Sequence, residues 1–537
     1  MEKSAQTAPL RRPRPHFDLC YNSVNYDMLI APSIADTAAP PMEQTETKGR
    51  ELTHAICRIQ AWPVGLLGVP FDNVTKAEAV ARIETMIATR LPHYVVTANV
   101  DFLVQARRDV ELQRILLEAD LVLCDGTPLL WASRWLGNPL PERAAGSDVV
   151  PLLIRAAAEK GHRIFLLGAG PNVAAEAADR LQQQHPTLVI AGHYSPPFHD
   201  LLDMDFAEIA RQVKAARPDI LFVSFGCPKQ EKWIAMHYHL LGVPVLIGVG
   251  ATLDFIAGRI KRAPVFMQRT GTECIYRLAQ EPRRLARRYA NDLFHFVPSI
   301  TRQWWNLRAP PRPSTTAKFM TVVRTPDWQQ VWVAGDFSAA ALNGKQSLFD
   351  EARQTPNHCQ LDLSQVRFLD STGVAVLVQW RKRLHVHGKQ LMLFNPSAKV
   401  LHTLKLMRLT GHFWIVAQPA GAPHPVDAMQ ASEPVIPPYP GGHTLAWQGE
   451  VVAANAGAVG DLTMQHLASI GAPPRQTFII DLTRLRFIDS AGAELMRRLR
   501  AWARHLQKEI RFLGSQPDVC NVLRLAKLGD LLETTRR

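Results

Sequence analysis

The chain has 537 residues, more than one hydrophobic core normally organises, so roughly three or four domains are expected. Hydrophobic residues make up 47% and charged residues 20%, as in globular proteins, and no apolar run approaches the ~18 residues that a membrane-spanning helix needs. The formal net charge of +13 predicts an acidic partner, which nucleic acid, anionic lipid or a diphosphate substrate would satisfy.

The N-terminal region has the composition of a disordered arm. Residues 1–58 are rich in Pro, Ala, Thr and charged residues, without sustained hydrophobic periodicity or a secretion signal. The seven cysteines of the chain lie far apart without a C-x-x-C pair, and none of its 19 histidines belongs to an H-E-x-x-H motif. These patterns argue against a disulfide framework and a structural zinc site, and we expect a cytoplasmic protein.

Short apolar strands alternate with helical stretches in the next region, residues 59–308. The predicted strands are Tyr94–Thr97, Leu121–Cys124, Arg163–Leu167, Leu188–Ala191, Ile220–Phe225 and Val245–Val249. Helical patterns at Val149–Lys160 and Asn172–Gln184 lie between them. This alternation indicates βαβ units, so we predict an α/β domain with a Rossmann-like parallel sheet.

Two smaller domains follow. Proline-rich segments at residues 309–318 and 419–443 are typical of extended linkers. After each linker comes a copy of one pattern, in which Leu361–Gly373 aligns with Ile480–Gly492 and a strand leads through Asp-Ser-x-Gly into a helix. We therefore predict two equivalent small α/β domains, called here the first and second repeat domains. They span residues 319–418 and 444–537.

Polar side chains follow two neighbouring strands of the predicted sheet. Asp125 comes directly after Leu121–Cys124, so its carboxylate should stand at the carboxyl edge of the sheet. That position suits a general base, and an Asp-Gly turn is the structural alternative. Thr97 and Asn99 end the neighbouring strand, where a hydroxyl and an amide can orient sugar hydroxyls. Capping of the following helix is the alternative for these two residues.

Further candidate binding residues follow other strand ends. Arg143 suits a phosphate or carboxylate group. Gly168 and Gly170 lie between a strand and a helix, where free backbone N–H groups and the helix dipole can receive a diphosphate. Gln230 and Asp254 suit contacts with a nucleotide sugar, although an aspartate at a helix start is also a common structural feature.

Two common patterns of nucleotide and metal sites do not fit. A dinucleotide fingerprint requires Gly or Ala where Val173 stands, and no acidic residue closes the next strand, which excludes a nicotinamide dehydrogenase. The D-x-D segment at residues 203–205 precedes a helix expected to begin near Phe206, which favours helix capping over metal binding. No metal site is predicted.

Positive charge concentrates between residues 269 and 308. Eight arginines there outnumber Glu273, Glu281 and Asp292, and Leu, Phe and Trp residues are interspersed among them. This mixture is typical of a helix in a membrane interface, and docking on the domain core with solvated arginines is the alternative. Nucleic acid is disfavoured because no recognised binding module accompanies the charge.

Together the motifs of this region resemble those of the WecG/TagA/CpsF glycosyltransferases. They occur in that family's order within residues 64–296: Thr97-x-Asn99, Asp125-Gly126, Glu142-Arg143-x-x-Gly146-Ser147-Asp148, Gly226-x-Pro228-Lys229-Gln230-Glu231, Arg262-Ala263-Pro264 and Arg277-Leu278-x-x-Glu281-Pro282-x-Arg284. The resemblance implies inverting, metal-independent transfer of a hexose or N-acetylhexosamine from a UDP-sugar to a polyprenyl-diphosphate-linked saccharide, with no further cofactor. It makes Asp125 the base and lets Thr97 orient acceptor or donor. It also implies that Arg277, Arg284 and Arg287 close over the pyrophosphate.

Both repeat domains resemble STAS domains, the fold of sulfate transporters and anti-sigma-factor antagonists. The resemblance implies protein binding, with Ser371 and Ser490 at the family's phosphorylation position and a kinase or other regulatory protein as partner. A plain serine N-cap is the structural alternative. No nucleophile–base pair indicates a second enzyme, so we interpret these domains as regulatory or scaffold modules.

The leading hypothesis is a UDP-sugar-dependent hexosyltransferase for exopolysaccharide or cell-surface polysaccharide synthesis, peripheral on the inner face of the cytoplasmic membrane. Its expected partners are the UDP-sugar, the lipid-linked acceptor, an anionic membrane surface and a STAS-binding regulator. A second copy of the chain is also expected, because the resemblance implies a family whose members often self-associate. Nucleic acid is not among them. The alternative is a nonenzymatic adaptor that senses a nucleotide sugar. Asp125, Thr97, Gln230 and the arginine cluster together favour the enzyme.

Overall fold

The computed structural model describes residues 62–270, 272–306, 320–324, 328–342, 345, 357–386, 389–417, 444–469 and 477–533. The expected N-terminal arm and both expected linkers lie outside the described residues. The described residues belong to one compact unit, within which three domains contact one another.

Strands and helices alternate along the first domain, as predicted. Its strands are β1 (Val64–Leu66), β2 (Val69–Phe71), β3 (His93–Ala98), β4 (Leu121–Cys124), β5 (Arg163–Gly168), β6 (Val189–Tyr194), β7 (Ile220–Ser224) and β8 (Val245–Gly248). Its helices are α1 (Lys76–Thr89), α2 (Val100–Ala106), α3 (Val110–Glu118), α4 (Thr127–Trp135), α5 (Gly146–Lys160), α6 (Val173–Gln184), α7 (Phe206–Ala216), α8 (Lys229–Leu241), α9 (Thr252–Ile256), α10 (Val265–Thr270), α11 (Glu273–Gln280) and α12 (Pro282–Asn306). Each strand predicted from the sequence is present, with its ends shifted by at most a few residues.

Strands β3 to β8 form one parallel sheet in the order β4-β3-β8-β7-β5-β6. Successive side chains point to opposite faces, so Val95 packs in the hydrophobic cluster on one face and Val96 in the cluster on the other. A sheet covered on both faces explains why its strands read as continuous apolar runs. The predicted α/β class with a Rossmann-like parallel sheet is confirmed. Because β3 lies between β4 and β8, the carboxyl ends of these three strands form one stretch of sheet edge.

The two repeat domains are small α/β units. The first has strands β9 (Met320–Arg324), β10 (Trp328–Phe337), β11 (His358–Leu369), β12 (Leu391–Phe394) and β13 (Trp414–Val416), with helices α13 (Ala339–Leu342), α14 (Ser371–Val386) and α15 (Ala398–Leu406). The second has strands β14 (Thr444–Ala446), β15 (Gly449–Val451), β16 (Thr477–Leu482), β17 (Leu485–Ile488), β18 (Glu509–Ser515) and β19 (Leu532–Glu533), with helices α16 (Ala456–Ser469), α17 (Ser490–His505) and α18 (Pro517–Leu525).

The repeat-domain sheets are mostly parallel. The first is ordered β13-β12-β11-β10-β9, with only the β9–β10 pair antiparallel. In the second domain β14-β16-β18-β19 and β15-β17 form two parallel sets. Helices α14 and α17 begin at Ser371 and Ser490 themselves, somewhat earlier than expected.

Helix α3 connects the first domain to both repeat domains. Its Arg114 forms ion pairs with Glu118 on the same helix (2.9 Å) and with Glu450 of the second repeat domain (2.6 Å). Glu118 also pairs with Arg381 of the first repeat domain (3.4 Å). Leu117, on the same helix, packs into the hydrophobic core of the first repeat domain. Helix α3 is therefore a shared element of all three domains.

Candidate active site at the sheet edge

The carboxyl ends of β3 and β4 lie side by side, with Ala98 paired to Cys124. The N–H of Asp125 donates to the carbonyl oxygen of Ala98 (2.8 Å), which continues the strand pairing by one residue. Gly126 then turns the chain with a φ of 152°, a backbone conformation that favours glycine. The half-buried side chain of Asp125 thus stands at the carboxyl edge of the sheet.

The pKa of the Asp125 carboxyl group is raised, which suits a base near neutral pH. Burial raises its pKa to about 6, and the charges of Arg143 and Arg277 oppose that rise. The negative charges of Asp148 and Glu273 add to it. A base whose pKa lies close to the working pH is mostly deprotonated and still basic enough to accept a proton. Asp125 has these properties, with positive and negative neighbours balanced around it.

Thr97 and Asn99 lie at the same edge, and both make hydrogen bonds within the fold. The buried Thr97 hydroxyl donates to the carbonyl oxygen of Gly248 at the end of β8 (3.2 Å). A Cβ at Gly146 would come 3.4 Å from Thr97 Oγ1, so the start of α5 packs directly beside this hydroxyl. Asn99 Oδ1 accepts from the N–H of Asp101 (3.0 Å), which confirms the helix-capping interpretation. Substrate contacts by Thr97 and Asn99 stay predictions.

Arg143 is paired with two carboxylates. Its Nη2 donates to Asp148 Oδ2 and its Nη1 to Glu273 Oε2, each at 2.8 Å. Arg262 also pairs with Asp148. These bonds fix α11 against the start of α5, which begins at Gly146, ahead of the predicted Val149–Lys160 pattern. The guanidinium of Arg143 therefore holds these elements together, and its contact with a phosphate group stays a prediction.

The side chain of Gln230 hydrogen bonds to the two loops that follow β7 and β8. Its Oε1 accepts from the N–H groups of Gly226 and Gly250, each at 3.2 Å, which ties the loops after β7 and β8 together. Its Nε2 donates to Glu231 Oε1 (2.6 Å), and the side chain is 2% exposed. The amide of Gln230 is thus used by the loops, and its contact with a nucleotide sugar stays a prediction.

Glu231 has a raised pKa, although the sequence motifs did not mark it as a site residue. It is 1% exposed, and among the described residues no group hydrogen bonds to its Oε2. Burial raises its pKa to about 7, and nearby Asp101 adds to the rise, whereas Gln230 opposes it. The sequence could have pointed to Glu231 by its position, since it follows Gln230 directly and lies just after a buried strand.

The predicted glycines and Asp254 surround the same edge. Gly168 ends β5 with a φ of 100°, and a Cβ there would come 2.5 Å from the carbonyl oxygen of Ser224. Its lack of a side chain is therefore required by the close approach of β5 to β7. Gly170 lies between β5 and α6, and Asp254 lies in the first turn of α9. Their contacts with a ligand stay predictions.

The three arginines predicted to cover the pyrophosphate occupy α11 and α12. Arg277 places its guanidinium 5.1 Å from the ring centre of Phe255, and its charge acts on Asp125. Arg287 is exposed on α12. The side chain of Arg284 lies outside the described residues. Among the described side chains of this group, Arg277 is the one that the structure brings to the Asp125 site.

The D-x-D segment is engaged elsewhere. Asp205 Oδ1 accepts from the N–H of Glu208 (3.1 Å) and caps α7, which confirms the capping interpretation. Asp203 pairs with Arg497 of the second repeat domain (3.7 Å). Both carboxylates therefore have structural partners.

Both candidate phosphorylation sites are buried against the first domain. Ser490 donates to Glu111 of α3 twice, through its N–H (2.6 Å) and its hydroxyl (2.8 Å). Lys232 of α8 neutralises Glu111 (2.8 Å). Ser371 packs equally closely against the first domain. A Cβ added at Gly65 in β1 would lie 2.3 Å from the carbonyl oxygen of Ser371. A kinase reaches neither serine while these domains are docked, and phosphorylation stays a prediction.

The fold and the site define an α/β domain with a carboxylate at the edge of its parallel sheet, followed by two small accessory domains. A family model described as Glycosyl transferase WecG/TagA/CpsF family matches residues 64–310. Models described as Mlab, STAS domain and as STAS domain match residues 320–417 and 434–537. The chain belongs to the WecG/TagA/CpsF glycosyltransferase family and carries two STAS domains, which are the first and second repeat domains.

Curated relatives in Staphylococcus aureus align with the first domain. Proteins of strains MW2, NCTC 8325 / PS 47 and COL are each 32% identical over 235 residues, which is 43% of this chain and 91% of the relative. Each is named N-acetylglucosaminyldiphosphoundecaprenol N-acetyl-beta-D-mannosaminyltransferase. The similarity thus covers nearly the whole of each relative and less than half of this chain.

We predict that Glu231→Gln makes the stability of the chain less dependent on pH. The folded-state pKa of about 7 exceeds the ordinary value of 4.5, so the folded state binds more protons between these values and loses stability as pH rises from 4.5 to 7. Glutamine removes this titration and keeps an acceptor for Gln230. Thermal unfolding midpoints measured across this range should decline less steeply for the variant. Glu159→Gln, at an exposed site, is the control, and a variant slope equal to that of wild type would contradict the assignment.

Proposed function

We propose that this protein transfers a sugar from a UDP-sugar to a hydroxyl group of a polyprenyl-diphosphate-linked saccharide. The observation that carries the proposal is Asp125, a half-buried carboxylate with a pKa of about 6 at the sheet edge, influenced by the charges of Arg143 and Arg277. The printed names of the relatives support the class of acceptor, N-acetylglucosaminyldiphosphoundecaprenol. The motif resemblance supports UDP as the nucleotide. Cell-surface polysaccharide or exopolysaccharide synthesis is the setting that we propose.

In this mechanism Asp125 accepts the proton of the acceptor hydroxyl while that oxygen attacks the anomeric carbon of the donor sugar. The attack comes from the face opposite the nucleotide, so the bond from the anomeric carbon to the diphosphate breaks and the configuration inverts. Negative charge then accumulates on the departing diphosphate, where Arg277 supplies positive charge. Arg284 and Arg287, on the next helix, are the further candidates for this task.

The proposal assigns charge compensation to arginines and not to a metal. Asp205 caps a helix and Asp203 pairs with Arg497, so the D-x-D carboxylates already have partners. Arg277 in contrast has its guanidinium against an aromatic ring and close enough to Asp125 to lower its pKa. A guanidinium in that position can stabilise a diphosphate leaving group directly.

Asp125→Asn should lower the rate of sugar transfer by about 10²- to 10⁴-fold, because a general base contributes that much to such reactions. Asparagine keeps the shape of the side chain, so UDP binding measured by calorimetry should persist. Wild-type kcat/KM should itself fall as the pH drops through about 6, where Asp125 becomes protonated.

Asp179→Asn, at an exposed site on α6, is the matched control and should keep the wild-type rate. A near-normal rate for Asp125→Asn would contradict its role as the base. A wild-type protein that binds the UDP-sugar without turnover, given a polyprenyl-diphosphate-linked acceptor, would favour the nonenzymatic adaptor instead.

Helix α12 has one face in the core and another exposed. Phe296 and Ile300 are buried in the hydrophobic core, so the docking interpretation holds for that face. Leu293, Phe294 and Trp305 are 65%, 75% and 70% exposed. Within the described residues, no helix combines the length and the apolarity needed to cross a bilayer. We propose that the exposed side chains, with the surrounding arginines, enter the interface of an anionic membrane where the lipid-linked acceptor resides.

Phe294→Ser should weaken binding to anionic liposomes by about tenfold, because the phenyl ring would lose a favourable transfer from water. Flotation with liposomes that contain or lack anionic lipid measures this. Phe198→Ser, at a 92% exposed residue after β6, is the control of matched residue type and should float like wild type. Flotation that is independent of lipid charge, or unaffected by Phe294→Ser, would argue against the membrane surface.

We propose that docking of the second STAS domain regulates the transferase domain through α3. This helix links β3 to β4, the strands whose ends carry Thr97 and Asp125. Burial raises the pKa of Asp489, beside Ser490, to about 7, and Glu111 adds to the rise. A phosphate on Ser490 would place roughly two negative charges beside this pair, and their repulsion would release the domain.

Ser490→Asp should undock the second STAS domain, because a carboxylate would face Glu111 in a buried site. Small-angle X-ray scattering should show a larger radius of gyration for this variant than for wild type. Ser490→Ala loses one hydrogen bond to a charged group, worth about 1.5 to 3 kcal/mol, but keeps the backbone N–H bond to Glu111 and should stay docked. Ser364→Asp, at an exposed serine of the first STAS domain, controls for added charge. An unchanged radius for Ser490→Asp would contradict the regulatory role of this contact.

A further inference from the structure

A cavity of about 130 Å³ lies between the transferase domain and the first STAS domain. The transferase domain lines it with Arg107, which follows α2, and with Arg302 on α12. The STAS domain lines it with His402 on α15 and with Arg408, which follows that helix. None of the residues assigned above to the Asp125 site lines this cavity, so its occupant would be distinct from donor and acceptor.

Three guanidinium groups meet at this cavity. Arg107 donates to the hydroxyl of Ser299, and Arg408 donates to the carbonyl oxygen of Arg107. Burial lowers the pKa of Arg107, and the like charges of Arg408 and Arg302 lower it further. Within the described part of the chain, no carboxylate forms an ion pair with these three arginines. Burial raises the pKa of Asp518 in the second STAS domain, and the nearby charge of Arg408 opposes that rise. The two side chains do not form an ion pair.

Uncompensated positive charge at a domain contact is unfavourable, because like charges repel one another. Apolar side chains, Leu67, Leu406 and Met407, form part of the lining, whereas Arg302 and Arg408 are exposed residues. Because Arg302 and Arg408 are exposed, their guanidinium groups are accessible to an anion from solution. An anion at this position would contact both domains at once.

We propose that this cavity binds a phosphate group, as inorganic phosphate or as a phosphomonoester, and that the bound anion fastens the first STAS domain to the transferase domain. Guanidinium groups bind phosphate oxygens through paired, charge-assisted hydrogen bonds. The volume is small compared with the roughly 300 to 1,000 Å³ of pockets for drug-sized ligands, so it matches a phosphate group better than a whole nucleotide. The phosphate can come from solution or from the headgroup of a lipid, since α12 also carries the exposed apolar side chains.

Titration of the full chain with inorganic phosphate at constant ionic strength tests the site. Calorimetry should detect binding, and phosphate should raise the thermal unfolding midpoint relative to chloride. Arg408→Gln should weaken phosphate binding by at least about tenfold, the loss expected for hydrogen bonds to a charged group. Arg302→Gln, on the other domain, should weaken it similarly, which guards against a folding defect in either single variant.

Two controls separate this site from other sources of binding. Arg504→Gln removes an exposed arginine of the second STAS domain and should bind phosphate like wild type. Arg277→Gln alters the proposed diphosphate site and should also keep phosphate binding at the cavity. Loss of phosphate binding in Arg277→Gln, with retention in Arg408→Gln, would overturn the proposal.

A second arm tests the lipid source. Phosphatidylcholine vesicles with and without phosphatidic acid are compared by flotation, using wild type and Arg408→Gln, whose altered residue lies outside the apolar face of α12. Preferential flotation of wild type with phosphatidic acid assigns the site to a lipid phosphate. Phosphate binding in calorimetry without that preference assigns it to a free phosphate. If neither measurement distinguishes wild type from Arg408→Gln, the proposal is wrong.

Discussion

The buried charges on helix α3 are the interaction on which the arrangement of the three domains depends. Glu111 is shared between Lys232 of its own domain and Ser490 of the second STAS domain. Arg114 is shared in the same way between Glu118 and Glu450. A charge removed from water is tolerated only when it is paired and hydrogen bonded. Undocking the second STAS domain therefore strips partners from both charges at once, which makes the contact cooperative.

This contact reaches the sheet edge through a short chain of bonded elements. Lys232 also pairs with Asp109, whose side chain caps α3. Lys232 lies on α8 two residues after Gln230, the side chain that ties the loops behind β7 and β8. Glu231, buried and partly unsatisfied, lies between them in the chain. One turn of helix therefore holds both the residue that joins the loops and the ion pair that supports the STAS domain, and the proposed regulation would act through this turn.

The sequence was a good guide to the elements and a poorer guide to what their polar side chains do. A run of apolar residues bounded by polar ones leaves little choice, and β4 was predicted with its observed bounds, Leu121–Cys124. Asn99 was predicted correctly as a possible cap because capping is a local interaction. Arg143 and Gln230 suited a ligand and the fold equally well by type and position, and the structure uses both for the fold. The partner of Ser490 lies 379 residues away in the chain, and no local pattern encodes such a contact.

The net charge of +13 is a second case in which the sequence gives a property and the structure shows where it acts. Composition predicted an acidic partner but could not place it. In the structure, arginines such as Arg143 and Arg114 are neutralised by carboxylates within the protein and create no demand for an anion. Arg302 and Arg408 have no such partner among the described carboxylates, and the first of them lies on the helix that exposes Phe294. Helix α12 thus borders both the cavity of the proposed phosphate site and the exposed apolar face. The proposed contact with a membrane and the contact with the first STAS domain would therefore share this single helix.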